Sequence, residues 1–280
     1  MANDRKYPTD LEARRLIVEV GRRMYAKNFV AANDGNISCR VAQDLIWATP
    51  TGVSKGFMQE DELVKMRLDG TVMSRGALAP SSEVKMHLRI YQENPDAWGV
   101  CHAHPPVSTS YAIAGISLDR AIYPEALVNL GTVPCVHYEP PGSQGIPDSV
   151  APYARDYNAL LLANHGVVAW GPSLMEAWYR LEATEHYAMI LMYTGNIIGK
   201  ANVLSCEQVD ELIEIRRKLG ITSGGVPPCS ARATNTEDVL AAHSPIADDN
   251  CGCAGRGASD EDVKAITQAV IARLNGLNLA

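Results

Sequence analysis

At 280 residues the chain is long enough for one large domain, or a domain with an appendage, and it can bury a sizeable core. Its 46% hydrophobic and 20% charged content is that of a globular protein, and a net charge of −7 argues against nucleic acid or an anionic membrane as a partner. No stretch approaches the roughly 20 apolar residues of a membrane span, and MANDRKYPTDLEARR lacks a signal peptide's apolar core, so a cytoplasmic protein is expected.

The first strong helix is predicted from about Asp10 to about Asn28, with Thr9 as N-cap and Leu11, Ile17, Val20 and Met24 in helical spacing. AANDGNISCR follows as a Gly/Asn turn, DLIWATP as a short strand and TGVSKG as a loop. PSSEVKMHLRIYQENP reads as a helix with a serine near its N-cap and Pro95 just past its end. In AWGVCHAHP, read as a strand, the period of two sends Val100, His102 and His104 to one face and Cys101 and Ala103 to the other. ALLLANHGVVAWG looks like two buried strands bent at Asn164-His165-Gly166. Ser173 is placed to cap a helix running to about Tyr193, with Gly195 as its stop.

Beyond Gly220 the composition turns to Gly, Pro, Ser, Asp and Cys, which predicts a flexible linker over 221–258. The chain closes on SDEDVKAITQAVIARLNGL, a short amphipathic helix within 259–280 with Ser259 as N-cap and Val263, Ile266, Val270 and Leu274 as its apolar stripe. The seven cysteines (39, 101, 135, 206, 229, 251 and 253) are scattered and odd in number, which reads as free thiols of a reducing compartment.

The chemistry gathers around three histidines. His102 and His104 share a strand face and can converge on one ion, and His165 sits in a tight turn where a glycine lets the backbone bend. Three neutral ring nitrogens with an open fourth position describe a catalytic zinc site, whereas a lone His-x-His pair is equally well two packed core residues. Glu83, in APSSEVK, is either a first-turn carboxylate complementing a helix dipole or a general base beside the metal. DGNIS (34–38), TPTG (49–52) and PSS (80–82) offer amides, hydroxyls and backbone N–H groups to a phosphate, although each alone is an ordinary turn. None is a Walker loop or a dinucleotide fingerprint. His87, His186, Glu182 and Glu185 read as surface or subunit-contact groups.

Taken in order, GNIS, TPTG, PSSE, HAHP and NHG resemble the class II aldolase/adducin family over roughly residues 10–220. The resemblance implies an α/β fold, a three-layer α/β/α domain over about 1–220 around a mainly antiparallel sheet, assembled as a homotetramer. It assigns His102, His104 and His165 to zinc, and Glu83 to acid/base work and to the metal while substrate is absent. Asn36, Thr51, Gly52, Ser81 and Ser82 would hold the phosphate of a small sugar phosphate, and Tyr123 would assist proton transfer in a neighbouring subunit's site. The implied reaction is retro-aldol cleavage, with L-fuculose 1-phosphate giving dihydroxyacetone phosphate and L-lactaldehyde. Other ketose phosphates (through L-rhamnulose or 5-deoxyribulose 1-phosphate aldolase, a ribulose-phosphate 4-epimerase, or a methylthioribulose-phosphate dehydratase) and a non-catalytic adducin-like role stand as alternatives. EIRRKLGITSGG lacks the tail tyrosine of the family's aldolases. The C-terminal helix resembles the encapsulation peptides of bacterial microcompartments, which implies docking of residues 259–276 on a shell protein.

Overall fold

The computed structural model describes residues 7–73 and 78–229. Helix α1 (Asp10–Ala26) starts at Thr9, whose hydroxyl accepts the Glu12 N–H while Glu12 accepts the Thr9 N–H, a reciprocal capping box. Strands β1 (Asn36–Ala42), β2 (Leu45–Ala48) and β3 (Val64–Arg67) follow as an antiparallel meander. The expected Gly/Asn turn ends earlier than its composition suggests. Asn36 already opens β1, whose first five residues are all buried, and Asn36, Ser38 and Arg40 alternate with Ile37, Cys39 and Val41 in the period of two that a strand shows.

Helix α2 (Val84–Glu93) leads to β4 (Gly99–Ala103), then α3 (Pro106–Ile113), α4 (Pro124–Asn129), β5 (Cys135–Val136) and α5 (Gly145–Val150). A hairpin of β6 (Ala159–Leu162) and β7 (Gly166–Gly171) precedes the long α6 (Leu174–Met192) and α7 (Cys206–Lys218). Ser173 caps α6 as expected, accepting the Glu176 N–H at 3.1 Å. Gly195 does not stop it. The chain continues through a π-helical turn (Tyr193–Ile197), and the glycine that adopts left-handed backbone is Gly199, at φ 70°.

The seven strands form one sheet in the order β3-β2-β1-β4-β7-β6-β5, antiparallel except for the β5–β6 pair. One face packs Cys39, Cys101, Ala103 and Val167 against Ile17 and Met24 of α1 and Trp178 and Leu181 of α6. The other packs Ile46, Val100, Val168 and Trp170 against Met86 and Ile90 of α2 and Ile146 of α5. The result is the expected three-layer α/β/α arrangement, and the alternation in β4 sends Val100 and Cys101 to opposite cores.

Two cysteines depart from the free-thiol expectation. Cys206, at the start of α7, is disulfide-bonded to Cys229, while Cys39, Cys101 and Cys135 are free. Twenty-three residues separate the pair, and only the return of the chain after α7 brings their Cα atoms to 5.1 Å. That return begins inside the segment expected as linker: Gly224 accepts the Thr132 N–H at 2.7 Å and donates to Asp156, and Ser223 bonds Asn158. The remaining linker, Cys251, Cys253 and the C-terminal helix lie outside the described residues.

Candidate active site

The histidines meet where the central strands β4 and β7 lie side by side. His102, in β4, is fully buried, and its Nδ1 lies 2.9 Å from the Val167 carbonyl of β7. A carbonyl only accepts, so Nδ1 carries the ring proton and Nε2 presents its lone pair to the cluster. His104 follows the strand end and places Nε2 3.2 Å from His102 Nε2. His165 comes from the β6–β7 turn, where Asn164 takes the left-handed conformation at φ 56°. A Cβ on the next residue, Gly166, would stand 2.5 Å from His104 Cδ2, so only glycine lets the hairpin close against that ring.

The ligating nitrogens of the three rings lie within 4.8 Å of one another. Burial pushes His102 down to about 3 and lowers His104, so both rings stay neutral at ordinary pH. Neutral imidazoles whose lone pairs converge have no way to satisfy each other without a proton or a cation between them. The donor set fits a divalent metal of the kind imidazole prefers.

Glu83 stands beside this cluster at the N-terminal end of α2. Its Oε1 is 3.0 Å from His165 Nε2, its Oε2 is 3.5 Å from His102 Nε2, and Asn36 donates to Oε2 at 2.7 Å. Burial alone would raise its pKa. His102, His165 and the Asn36 amide outweigh that and hold the carboxyl well below the usual carboxylate range. Neither serine caps α2 in the expected way. Glu83 itself occupies the N-cap position without a side-chain cap, and its N–H reaches only as far as the Ser81 hydroxyl at 3.4 Å.

The three polar loops come together at the same end of the sheet. The Thr49 hydroxyl accepts the Ile37 N–H, Ser81 N–H donates to the Thr49 carbonyl, and Thr51 N–H donates to Ala79. These bonds hold the loops that carry Thr51-Gly52 and Ser81-Ser82 to each other and to the start of β1, where Asn36 lies against Glu83. Gly52, at φ 75°, has nothing within 4 Å of where a Cβ would stand. Tyr123 is not in this group within the single chain. It precedes α4 and its ring lies 6.0 Å from that of His186.

Four groups around the site have no signal in the sequence pattern. Asp34 places Oδ2 3.5 Å from His104 Nδ1. Lys55 is buried, with Nζ donating to the carbonyls of Asn33 at 2.8 Å and Val53 at 2.6 Å, which ties the DGN turn to the TPTG loop. His87 is buried, not on the surface, with Nδ1 2.8 Å from the Ser38 hydroxyl. Glu185, read as a surface or subunit-contact group, is buried within the chain and accepts three hydrogen bonds from the start of α3.

Comparison with known proteins agrees with this geometry. Residues 15–192 match the model of the class II aldolase and adducin N-terminal domain. The chain belongs to the class II aldolase family. Over 175 residues it is 31% identical to an L-fuculose phosphate aldolase of Methanocaldococcus jannaschii, covering 62% of this chain and 93% of the relative. Over 208 residues it is 30% identical to a 3-oxo-tetronate 4-phosphate decarboxylase of Pectobacterium atrosepticum, covering 73% and 94%. A solved L-fuculose 1-phosphate aldolase superposes with a TM-score of 0.69 at 26% identity, covering 76% of this chain and 98% of its own. The chain is a lyase of the class II aldolase type, and among the described residues no helix is long and apolar enough to cross a membrane.

Proposed function

We propose that this class II aldolase family member is a zinc-dependent enzyme that breaks the bond between the α and β carbons of a phosphorylated ketose, C3–C4, with L-fuculose 1-phosphate as its substrate. The observation that carries the reading is the convergence of His102, His104 and His165 beside the ionised carboxylate of Glu83. A divalent metal held by the three histidines supplies Lewis acidity for the ketose oxygens and stabilises negative charge developing next to them.

The chain's own residues divide the remaining work. Asn36, Thr51, Gly52, Ser81 and Ser82 bind the phosphate through hydroxyl, amide and backbone donors, which fixes the ketose with its reactive carbons toward Glu83. Cleavage of C3–C4 releases an aldehyde and leaves the enediolate of dihydroxyacetone phosphate. Glu83, which rests ionised, takes up a proton given off by the substrate's hydroxyls during cleavage and passes it to C3 of the enediolate, and in the reverse direction it removes the C3 proton. Asn36, bonded to Oε2, keeps Glu83 turned toward the reacting carbon. Tyr123, contributed to a neighbouring subunit's site in a homotetramer, handles the proton at the aldehyde oxygen.

A second reading rests on the decarboxylase relative and is a chemistry the sequence motifs alone do not suggest. Loss of carbon dioxide from a 3-oxo-tetronate 4-phosphate leaves the same enediolate, so the two reactions share every group named above except Tyr123, whose aldehyde is absent, and differ in what departs. The deciding experiment supplies L-fuculose 1-phosphate and 3-oxo-tetronate 4-phosphate separately, with and without prior chelation. It measures dihydroxyacetone phosphate together with aldehyde or carbon dioxide. Chelator-sensitive release with aldehyde supports the aldolase; release with carbon dioxide only from the acid establishes the decarboxylase; neither, from zinc-loaded protein, sinks both.

The C-terminal segment 259–280, whose sequence pattern is that of an amphipathic helix, is proposed to recruit the enzyme to a bacterial microcompartment, where a reactive aldehyde product would be contained. Deleting residues 259–280 is expected to leave turnover unchanged and abolish co-purification with shells. Retained co-purification overturns that role.

A further inference from the structure

His104 is the most exposed of the three histidines. His102 lies within a strand with its ring bonded to Val167, and His165 lies in a tight turn, but His104 has left β4 and its side chain is a quarter exposed. Upstream its backbone is anchored, since its N–H donates to the Phe29 carbonyl at 2.9 Å. Downstream come Pro105 and Pro106, which have no N–H to give. The first donors after His104 are the N–H groups of Val107 and Ser108, and both end on one carboxylate. Glu185 of α6 accepts Val107 N–H at 2.9 Å, Ser108 N–H at 2.7 Å and the Ser108 hydroxyl at 2.6 Å.

This arrangement replaces a missing local cap. The N-cap residue of α3 is Pro105, which makes no side-chain cap hydrogen bond, so the first turn takes its acceptor from 77 residues away. The carboxylate also sits at the positive end of the helix dipole. Glu185 is 4% exposed, so these N–H groups have no water to turn to if it is removed. The two prolines have fixed φ and transmit any shift of the turn directly to His104.

Building on the metal reading above, we propose that Glu185 is a positioning residue for the metal centre: by pinning the first turn of α3 through the rigid Pro105-Pro106 link, it holds His104 in ligating position. The pattern could not be seen in LEATEH, where Glu182 and Glu185 look alike. The structure separates them, because Glu182 instead pairs with Lys27 at 2.6 Å near the surface.

The test measures zinc affinity by competition with a chelating dye, and the visible spectrum of the cobalt-substituted full chain, for wild type, Glu185→Gln, Glu185→Leu and Glu182→Gln. Glu185→Gln keeps one acceptor oxygen but turns an amide NH2 toward N–H donors. It is expected to weaken zinc about 10–100-fold, the usual cost of losing a group that orients a ligand. Glu185→Leu weakens it further and moves the cobalt spectrum toward that of His104→Ala, while Glu182→Gln changes neither. Variants that melt at lower temperature yet keep wild-type affinity and spectrum overturn the proposal and leave Glu185 a purely structural cap. Should Glu185→Leu not fold, Ser108→Ala removes only the hydroxyl bond, and unchanged affinity in it and in Glu185→Gln is equally fatal. Wild type that takes up no metal overturns the metal reading and this inference with it, an outcome distinct from wild type and variants binding alike.

Discussion

Glu83 is pulled in opposite directions by its surroundings, and the balance determines its use. Burial would keep it protonated; His102, His165 and Asn36 keep it ionised. A desolvated carboxylate of this kind accepts a proton readily once it swings away from those rings toward substrate, because burial disfavours its charged form. Glu83→Gln keeps the shape and the Asn36 contact while removing the proton acceptor. The expected result is a kcat about 10²–10⁴-fold lower with zinc content close to wild type, read by steady-state kinetics and metal analysis on the same preparation. A loss under about tenfold would remove Glu83 from proton transfer. The three histidines and Glu83 are legible in sequence because period two, a glycine turn and a helix start each leave a local mark. Asp34, Lys55, His87 and Glu185 leave none. Their roles depend on burial and on partners that only folding brings within reach, as with Lys55 and the carbonyl of Asn33.

At the scale of elements, the site is built where neighbouring strand ends converge. Antiparallel pairing puts Asn36 of β1 opposite His102 of β4, and His102 opposite Val168 of β7. Register in these strands is therefore also register of the site, and a slip of one residue would turn His102 into the opposite core. The β6–β7 turn is the tightest part of this construction. Gly166→Ala would place its Cβ 2.5 Å from His104 Cδ2 and 2.6 Å from the Ala103 carbonyl, one of them unyielding backbone. It is expected to cost roughly 1–3 kcal/mol in denaturant unfolding, typical of overpacking, and to weaken zinc binding as well. Wild-type values for both would mean that the hairpin yields more easily than its packing implies. The hairpin itself is readable from ANHG between two apolar runs. Strand β1 has a period of two as well, but the turn-forming Asn-Asp-Gly-Asn run that leads into it masks its start, and the disulfide of Cys206 with Cys229 leaves no local mark, because it depends on how the chain returns after α7.

Over the whole molecule, burying several ionisable groups makes stability depend on pH in two separate windows. His87 and His102 are each pushed by burial to about 3, against 6.5 for an exposed ring. The unfolded chain takes up those protons below pH 6.5 and the folded one does not, so stability falls as pH drops from 6.5 toward 3. Lys55 acts on the alkaline side. Burial lowers it from 10.5 to about 8, so between those values the unfolded chain holds the extra proton and stability from this group rises with pH. The acid limb can be assigned to a residue, because His87 bonds Ser38 away from the metal nitrogens and Gln can replace its hydrogen bond without titrating. Between pH 6.5 and 5, each fully buried neutral histidine costs up to about 2 kcal/mol at roughly 1.36 kcal/mol per pH unit. Urea unfolding of chelated wild type and His87→Gln at pH 7 and pH 5 should show the variant losing less stability on acidification by about that amount. Parallel losses would mean that His87 accepts a proton without unfolding, which its burial beside Ser38 argues against. Chelation is needed because a metal held at the proposed site would itself be released on acidification and add its own acid dependence to the same window.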